Sequence, residues 1–289
     1  MCNSAGLVNF LFINSVRYQY TRCCSPLLAA VFAVLSGCAQ QPHGVDSHEM
    51  LNATLWAQSS AEYEALTRQV YRVARENLDL ALADPHWSAA LEQTGDYTGL
   101  PPAVVLDIDE TILDNTRFEV RIIRRLGKYS QASFADWCRE ADAPAIPGAK
   151  EFLDYAAERN VAVFYYSARR ENLRDCTARN LHALQLPLVD ESRLLLNDGT
   201  SKSAHRAMIA GNFRILLLVG DNLHDFVDGS RTDPSRRRDL ARRHADRWGR
   251  EWMVLPNPMY GHWESSFYEF DYKLPREEQL RRKNLQLQE

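Results

Sequence analysis

The chain has 289 residues, 45% of them hydrophobic and 25% charged, which is enough to bury a sizeable core and excludes a disordered or fibrous chain. With 34 basic against 38 acidic residues the formal charge is −4, a balance that argues against a surface built to hold a nucleic acid polymer. The six cysteines are too scattered to form a zinc cluster.

Residues 1–37 carry Arg17 and Arg22 but no acid, and they run into PLLAAVFAVLSGC. That apolar stretch has the length of a signal-peptide core and is short for a bilayer span. The ending Leu35-Ser36-Gly37-Cys38 resembles the lipobox of bacterial lipoproteins, which implies cleavage before Cys38 and acylation of that cysteine. A plain secretory leader or a short membrane anchor is the alternative. The resemblance places the protein in the bacterial cell envelope, held in the outer membrane through Cys38 and facing the periplasm or the surface. On this reading residues 1–37 are a lipoprotein signal peptide, residues 38–50 a polar flexible tether, and residues 51–289 the folded domain. Loss of the leader moves the formal charge from −4 to −6, because it removes two arginines and no acid. Cys138 and Cys176 then remain. Whether they pair stays open, since nothing in the sequence between them brings the two together.

From Leu51 to about Leu82, apolar residues recur at spacings of three, four and seven, which predicts an amphipathic helix. Five short apolar runs follow at helix-sized intervals: AVVLD (103–107), VAVFYYS (161–167), RLLL (193–196), RILLLVGD (214–221) and EWMVL (251–255). Strands of near-continuous apolar character are buried on both faces, so they predict a doubly wound α/β domain with a parallel sheet. Its ligand crevice belongs at the carboxyl ends of the strands. The basic run Arg236-Arg237-Arg238 with Arg242-Arg243 is interleaved with acids and reads as a solvated helix face, and the final LPREEQLRRKNLQLQE reads as a packing or solvated helix.

Polar residues gather where those strands end. The first is followed by Asp107, Asp109 and Thr111, the second by Ser167 and Arg169, and the fourth by Gly220-Asp221-Asn222 with Asp225 a turn later. Lys202 opens the helix after the third. Carboxylates crowded into a partly desolvated crevice repel one another by several kcal/mol, on the order expected at intermediate dielectric, which calls for a cation among them. All-oxygen donors point to Mg2+.

This set resembles the four motifs of the haloacid dehalogenase superfamily of phosphotransferases. LDIDETILDNTRFE, FYYSARRE, SKSAHR, VGDNLHDF and LPNPMYGHWE are similar in order and spacing to the class C bacterial acid phosphatases, the lipoprotein 5'-nucleotidase family. The resemblance covers essentially the whole chain beyond the leader. It implies a haloacid dehalogenase-like sheet with a small helical cap inserted after the first strand, in residues 112 to about 148. It implies hydrolysis of phosphate monoesters, nucleoside 5'-monophosphates foremost, through an aspartyl-phosphate on Asp107. Asp109 would then exchange the proton of the leaving oxygen and of the attacking water, Ser167 would donate to the phosphoryl oxygens, and Lys202 would balance charge. By the same resemblance Mg2+ is held by the Asp107 side chain, the Asp109 backbone carbonyl and Asp221, with Asp225 orienting a metal-bound water. Arg169 falls among the substrate-binding residues, and a nucleobase to Tyr129, Phe134 and Tyr260. Thr111 and Asn115 are supporting residues at most, and Asp114 reads as a helix cap.

Two positions depart from the family pattern. His224 stands where another aspartate is usual, which would shift the pH optimum without abolishing activity. Ala168 stands where asparagine is frequent, which leaves that hydrogen bond in doubt. A binding lipoprotein that kept the fold without the catalysis is the alternative function, and a cytosolic phosphotransferase is opposed by the leader.

Overall fold

The computed structural model describes residues 47–187 and 189–289. The leader, Cys38 and most of the tether, with the readings made for them, lie outside the described residues. Two helices come first, α1 (Leu51–Ser59) and α2 (Ala61–Ala83). Strand β1 (Pro102–Asp107) follows, then α3 (Thr116–Arg124), α4 (Gln131–Glu140) and α5 (Ala149–Glu158). Next come β2 (Ala162–Arg170), α6 (Arg174–Ala183), β3 (Leu194–Asn197), α7 (Lys202–Ala210) and β4 (Arg214–Gly220). The chain finishes with α8 (Pro234–Arg243), β5 (Trp252–Val254), α9 (His262–Ser265) and α10 (Arg276–Asn284).

The five strands form one parallel sheet in the order β3-β2-β1-β4-β5. Alternation along β1 splits its side chains between two cores. Val104 and Leu106 join Tyr71, Ala74 and Leu78 of α2 and Phe152 and Leu153 of α5 on one face. Ala103 and Val105 join Ile209 of α7, Phe226 and Trp252 on the other. Burial on both faces is why these runs carry so few polar residues. Because β2 and β3 lie to one side of β1 and β4 and β5 to the other, the chain changes direction beside the end of β1, and a crevice opens there.

The single helix expected from Leu51 is two. Ser60 has extended backbone (φ −82°, ψ 138°), and its hydroxyl accepts from the Tyr63 amide at 3.0 Å, so it caps α2 instead of continuing α1. Glu62 and Glu64 in the first turn of α2 suit the positive helix end. The tether is also shorter than expected. His48 is buried with its ring 3.0 Å from the Gly127 carbonyl, and Glu49 pairs with Arg276 of α10 at 2.6 Å, so residues 48–50 belong to the folded part. On α8 the arginines at 236, 238, 242 and 243 are exposed as expected, but Arg237 turns inward and donates to the Ser230 carbonyl at 2.5 Å.

Between β1 and α5, α3 and α4 supply the helical cap. It is fastened firmly. Cys138 of α4 and Cys176 of α6 form a disulfide with Cα atoms 5.5 Å apart, which settles the pairing the sequence left open. Asn180 of α6 exchanges two hydrogen bonds with the Ala143 backbone, at 3.0 and 2.8 Å. Among the described residues no helix is long and apolar enough to cross a membrane.

Candidate active site

Asp107 is the last residue of β1, and pairing with β2 sets its backbone opposite Tyr166, while pairing with β4 reaches Leu106 just before it. Its carboxylate is buried and ion-paired with the Lys202 ammonium, which also donates to Asp225 at 2.6 Å. Lys202 is placed by the start of α7, where the Ser201 hydroxyl caps the helix by accepting from the Ala204 amide. Asp225 is held from several sides. Its second oxygen accepts from the Asn222 amide at 2.8 Å, and its carbonyl accepts from the Tyr166 hydroxyl and from Arg206 at 2.9 Å. Arg206 is itself buried and forked to Glu92.

Asp107, Asp221 and Asp225 each present an oxygen within 4.8 Å of the others. Burial pushes the Asp107 carboxyl well above its usual range; Lys202 opposes this, and the neighbouring aspartates add to it. Asp221 is pushed up to about 7 by burial and by Asp225, against the Asn257 amide that donates to it at 2.7 Å. Three clustered carboxylates, all oxygen donors within reach of one point, are the donor set a hard divalent cation would satisfy. The residues therefore fit a metal ion.

The Asp109 carboxylate takes no part in that cluster. Its side chain turns to β2 instead, whereas the ligand the resemblance implied at this position is the backbone carbonyl. Its oxygens accept from Arg169 (2.7 Å), from Asn115 (2.7 Å) and from Ser167 (3.2 Å). Burial raises the Asp109 carboxyl, but Arg169, Asn115 and Ser167 together outweigh it and hold it below the usual carboxylate range. The two aspartates of one motif thus sit in different surroundings, Asp107 against Lys202 and Asp109 against Arg169.

The cap brings Phe118, Tyr129 and Phe134 into one edge-on cluster with centroids 5.2 to 6.1 Å apart. Tyr129 is 53% exposed, whereas Phe134 is buried beneath it with the Arg169 guanidinium 5.2 Å over its ring. Tyr260 lies on the far side of the sequence, half-buried against the larger core, and shares no ring contact with that trio. Asp114 accepts from the Thr116 amide at 2.8 Å from one residue before the N-cap position of α3, which Asn115 occupies. Thr111 is buried, its carbonyl accepting from the Tyr71 hydroxyl at 2.5 Å. His224 is half-buried and lies 5.2 Å from the His262 ring, with Ser230 at 3.4 Å, and burial lowers its basicity. Ala168 points outward and is exposed.

Sequence reasoning passed over three residues here. Asn115, taken as support at most, is fully buried and directly holds Asp109, with its own carbonyl fixed by the Trp137 indole at 2.9 Å. Glu110 and Glu119 are buried carboxyls of the cap side, the second pushed up to about 8 by burial and by Glu264 and Asp109. A motif reading sees Glu110 only as the residue after Asp109; its left-handed backbone (φ 55°) and the Asn115 amide it accepts at 2.9 Å show only in three dimensions.

A parallel sheet with paired aspartates after its central strand, a hydroxyl after the next and a lysine facing them is the arrangement of the haloacid dehalogenase superfamily. The chain belongs to that superfamily's subfamily IIIB, the acid phosphatases, a family of phosphoric monoester hydrolases whose model matches residues 23–263. Among solved structures it is similar to the class C acid phosphatase from Bacillus anthracis, at 32% identity and a TM-score of 0.75 over 83% of this chain and 97% of that one. The same Bacillus anthracis enzyme with tungstate bound gives 31% identity and a TM-score of 0.74. A curated relative, acid phosphatase 1 of Solanum lycopersicum, is 26% identical over 165 residues, 54% of this chain. The matched stretch spans 57% of that relative, little more than half its length.

Proposed function

We propose that this chain is a membrane-anchored, Mg2+-dependent phosphatase that hydrolyses phosphate monoesters, nucleoside 5'-monophosphates foremost, through an aspartyl-phosphate on Asp107. The observation that carries the reading is the charge arrangement at the end of β1: a buried Asp107 paired with Lys202, in one cluster with Asp221 and Asp225. A phosphate monoester is a dianion, and a carboxylate reaches it only where positive charge offsets the repulsion. Asp107, Asp221 and Asp225 would hold the metal, which when bound supplies that charge.

Pairing with β2 restrains the Asp107 backbone, so its oxygen can attack phosphorus in line with little reorganisation. Lys202 neutralises the nucleophile and the incoming phosphoryl group. Ser167 donates to a phosphoryl oxygen, and Asp109, two residues past the nucleophile, passes a proton taken up from solvent to the leaving oxygen and later takes one from the attacking water. That the Bacillus anthracis relative binds tungstate, a tetrahedral oxyanion like phosphate, supports an oxyanion site at these strand ends. The exposed Tyr129 at the cap edge favours a flat substrate group such as a nucleobase. The Cys138–Cys176 bond suits an oxidising envelope compartment, in keeping with export and lipidation at Cys38.

The test is phosphate release from nucleoside 5'-monophosphates, with Mg2+ and with chelator, beside Asp107→Asn. Metal-dependent release that the variant loses by at least about a thousandfold is expected for loss of a covalent nucleophile. Chelator-resistant release, or an active Asp107→Asn, sinks the proposal. Fatty-acid labelling of the wild type but not Cys38→Ser tests the anchor separately.

A further inference from the structure

All five N–H donors of Arg169 are already engaged. Nε donates to both Asp109 oxygens at 3.1 Å, and Nη2 to Asp109 Oδ1 at 2.7 Å and towards Asn115 Oδ1 at 3.4 Å. Nη1 donates to Thr177 on α6 at 3.0 Å and lies 3.6 Å from Cys138 Sγ. With its side chain 2% exposed, the guanidinium has no donor left to grip a substrate phosphate. The two oxygens of Asp109 are not equivalent. Oδ1 accepts the two shortest bonds, from Arg169 Nη2 and Asn115 Nδ2, whereas Oδ2 accepts only the longer ones from Nε and Ser167.

We propose that Arg169 is a positioning residue that, with Asn115, anchors Oδ1 of Asp109 so that Oδ2 is the oxygen delivering the proton to the leaving group. The proposal rests on the phosphatase reading. As the bond from Asp107 to phosphorus forms, the bond from phosphorus to the leaving oxygen breaks. The leaving oxygen keeps the electron pair and takes a proton that Oδ2 has first taken up from solvent, and the carboxylate that remains is again the species Arg169 holds. Thr177 and Cys138 hold Arg169 in turn, so the anchor runs from the acid-base carboxylate into α6 and the cap disulfide.

A leaving group that departs easily needs no proton, and one that departs poorly does. The full chain and its Arg169→Met and Arg169→Lys variants are compared on p-nitrophenyl phosphate and on 2-phenylethyl phosphate, reading kcat and KM for each. Arg169→Met should lose on the order of 100-fold in kcat on the alkyl ester, the range of one general acid, and less than about tenfold on the aryl ester, with little change in KM. Arg169→Lys should fall between, because lysine keeps the charge without the fork. Equal losses on both esters, or a loss confined to KM, overturn the proposal. If Arg169→Met does not fold, Arg169→Lys and Asn115→Ala carry the same comparison, and an unchanged ratio between the esters in both overturns it. A wild type that hydrolyses neither ester removes the phosphatase reading and this proposal together.

Discussion

Gly220 shows how little space the site leaves. A Cβ there would meet Asp225 Oδ2 at 2.3 Å and its Cβ at 2.5 Å, distances that force the aspartate to move. Gly220→Ala is therefore expected to spread the Asp107, Asp221 and Asp225 cluster and to weaken metal-dependent activity by at least about tenfold, the cost typical of misplaced metal-site support. Titration of activity with Mg2+ checks this: a right-shifted curve at near-normal melting temperature is the expected result. At this scale the sequence was legible wherever a side chain sits in a motif at a strand end, as Asp107, Lys202 and Asp225 do. It was silent where a role comes from a neighbour distant in the chain. Asn115 and Arg169 meet only because α3 and β2 converge on Asp109, and no spacing within either segment records that meeting.

At the scale of elements, all five strands lie within three residues of their apolar runs, since a strand buried on both faces leaves an unbroken hydrophobic signature. The helices were less legible. The break at Ser60 is decided by one cap against an apolar spacing that runs through it, and the pairing of α4 with α6 leaves no local trace. That pairing is strong. The disulfide closes 38 residues, and in the chain-entropy account removing it costs about 4 kcal/mol. The Cys138→Ser/Cys176→Ser double variant should lower the urea midpoint accordingly, while an unchanged midpoint would mean that the bond contributes nothing in solution.

For the whole molecule, buried titrating groups set how stability follows pH. Glu119 is raised to about 8, so an unfolded chain releases its proton near the ordinary 4.5 while the folded one holds it, and stability falls as pH rises between those values. His262 is depressed to about 4 by burial and by His224, so it removes stability as pH falls below 6.5. Between pH 4.5 and 6.5 the two slopes nearly cancel. Above 6.5 Glu119 acts unopposed by His262, and Glu110, Asp107 and Asp221, raised chiefly by burial, act in the same direction. The wild type should lose about 2 kcal/mol between pH 6.5 and 8 from Glu119 alone, a loss that Glu119→Gln should abolish in urea titrations at the two pH values. A fold that is firmest on the acidic side suits the activity of its family.

The bond between Cys138 and Cys176 also bears on traffic through the crevice. A roof bolted to the wall beneath it resists swinging, so the doorway is expected to keep a constant width through turnover, with selection at its rim, where Tyr129 stands exposed.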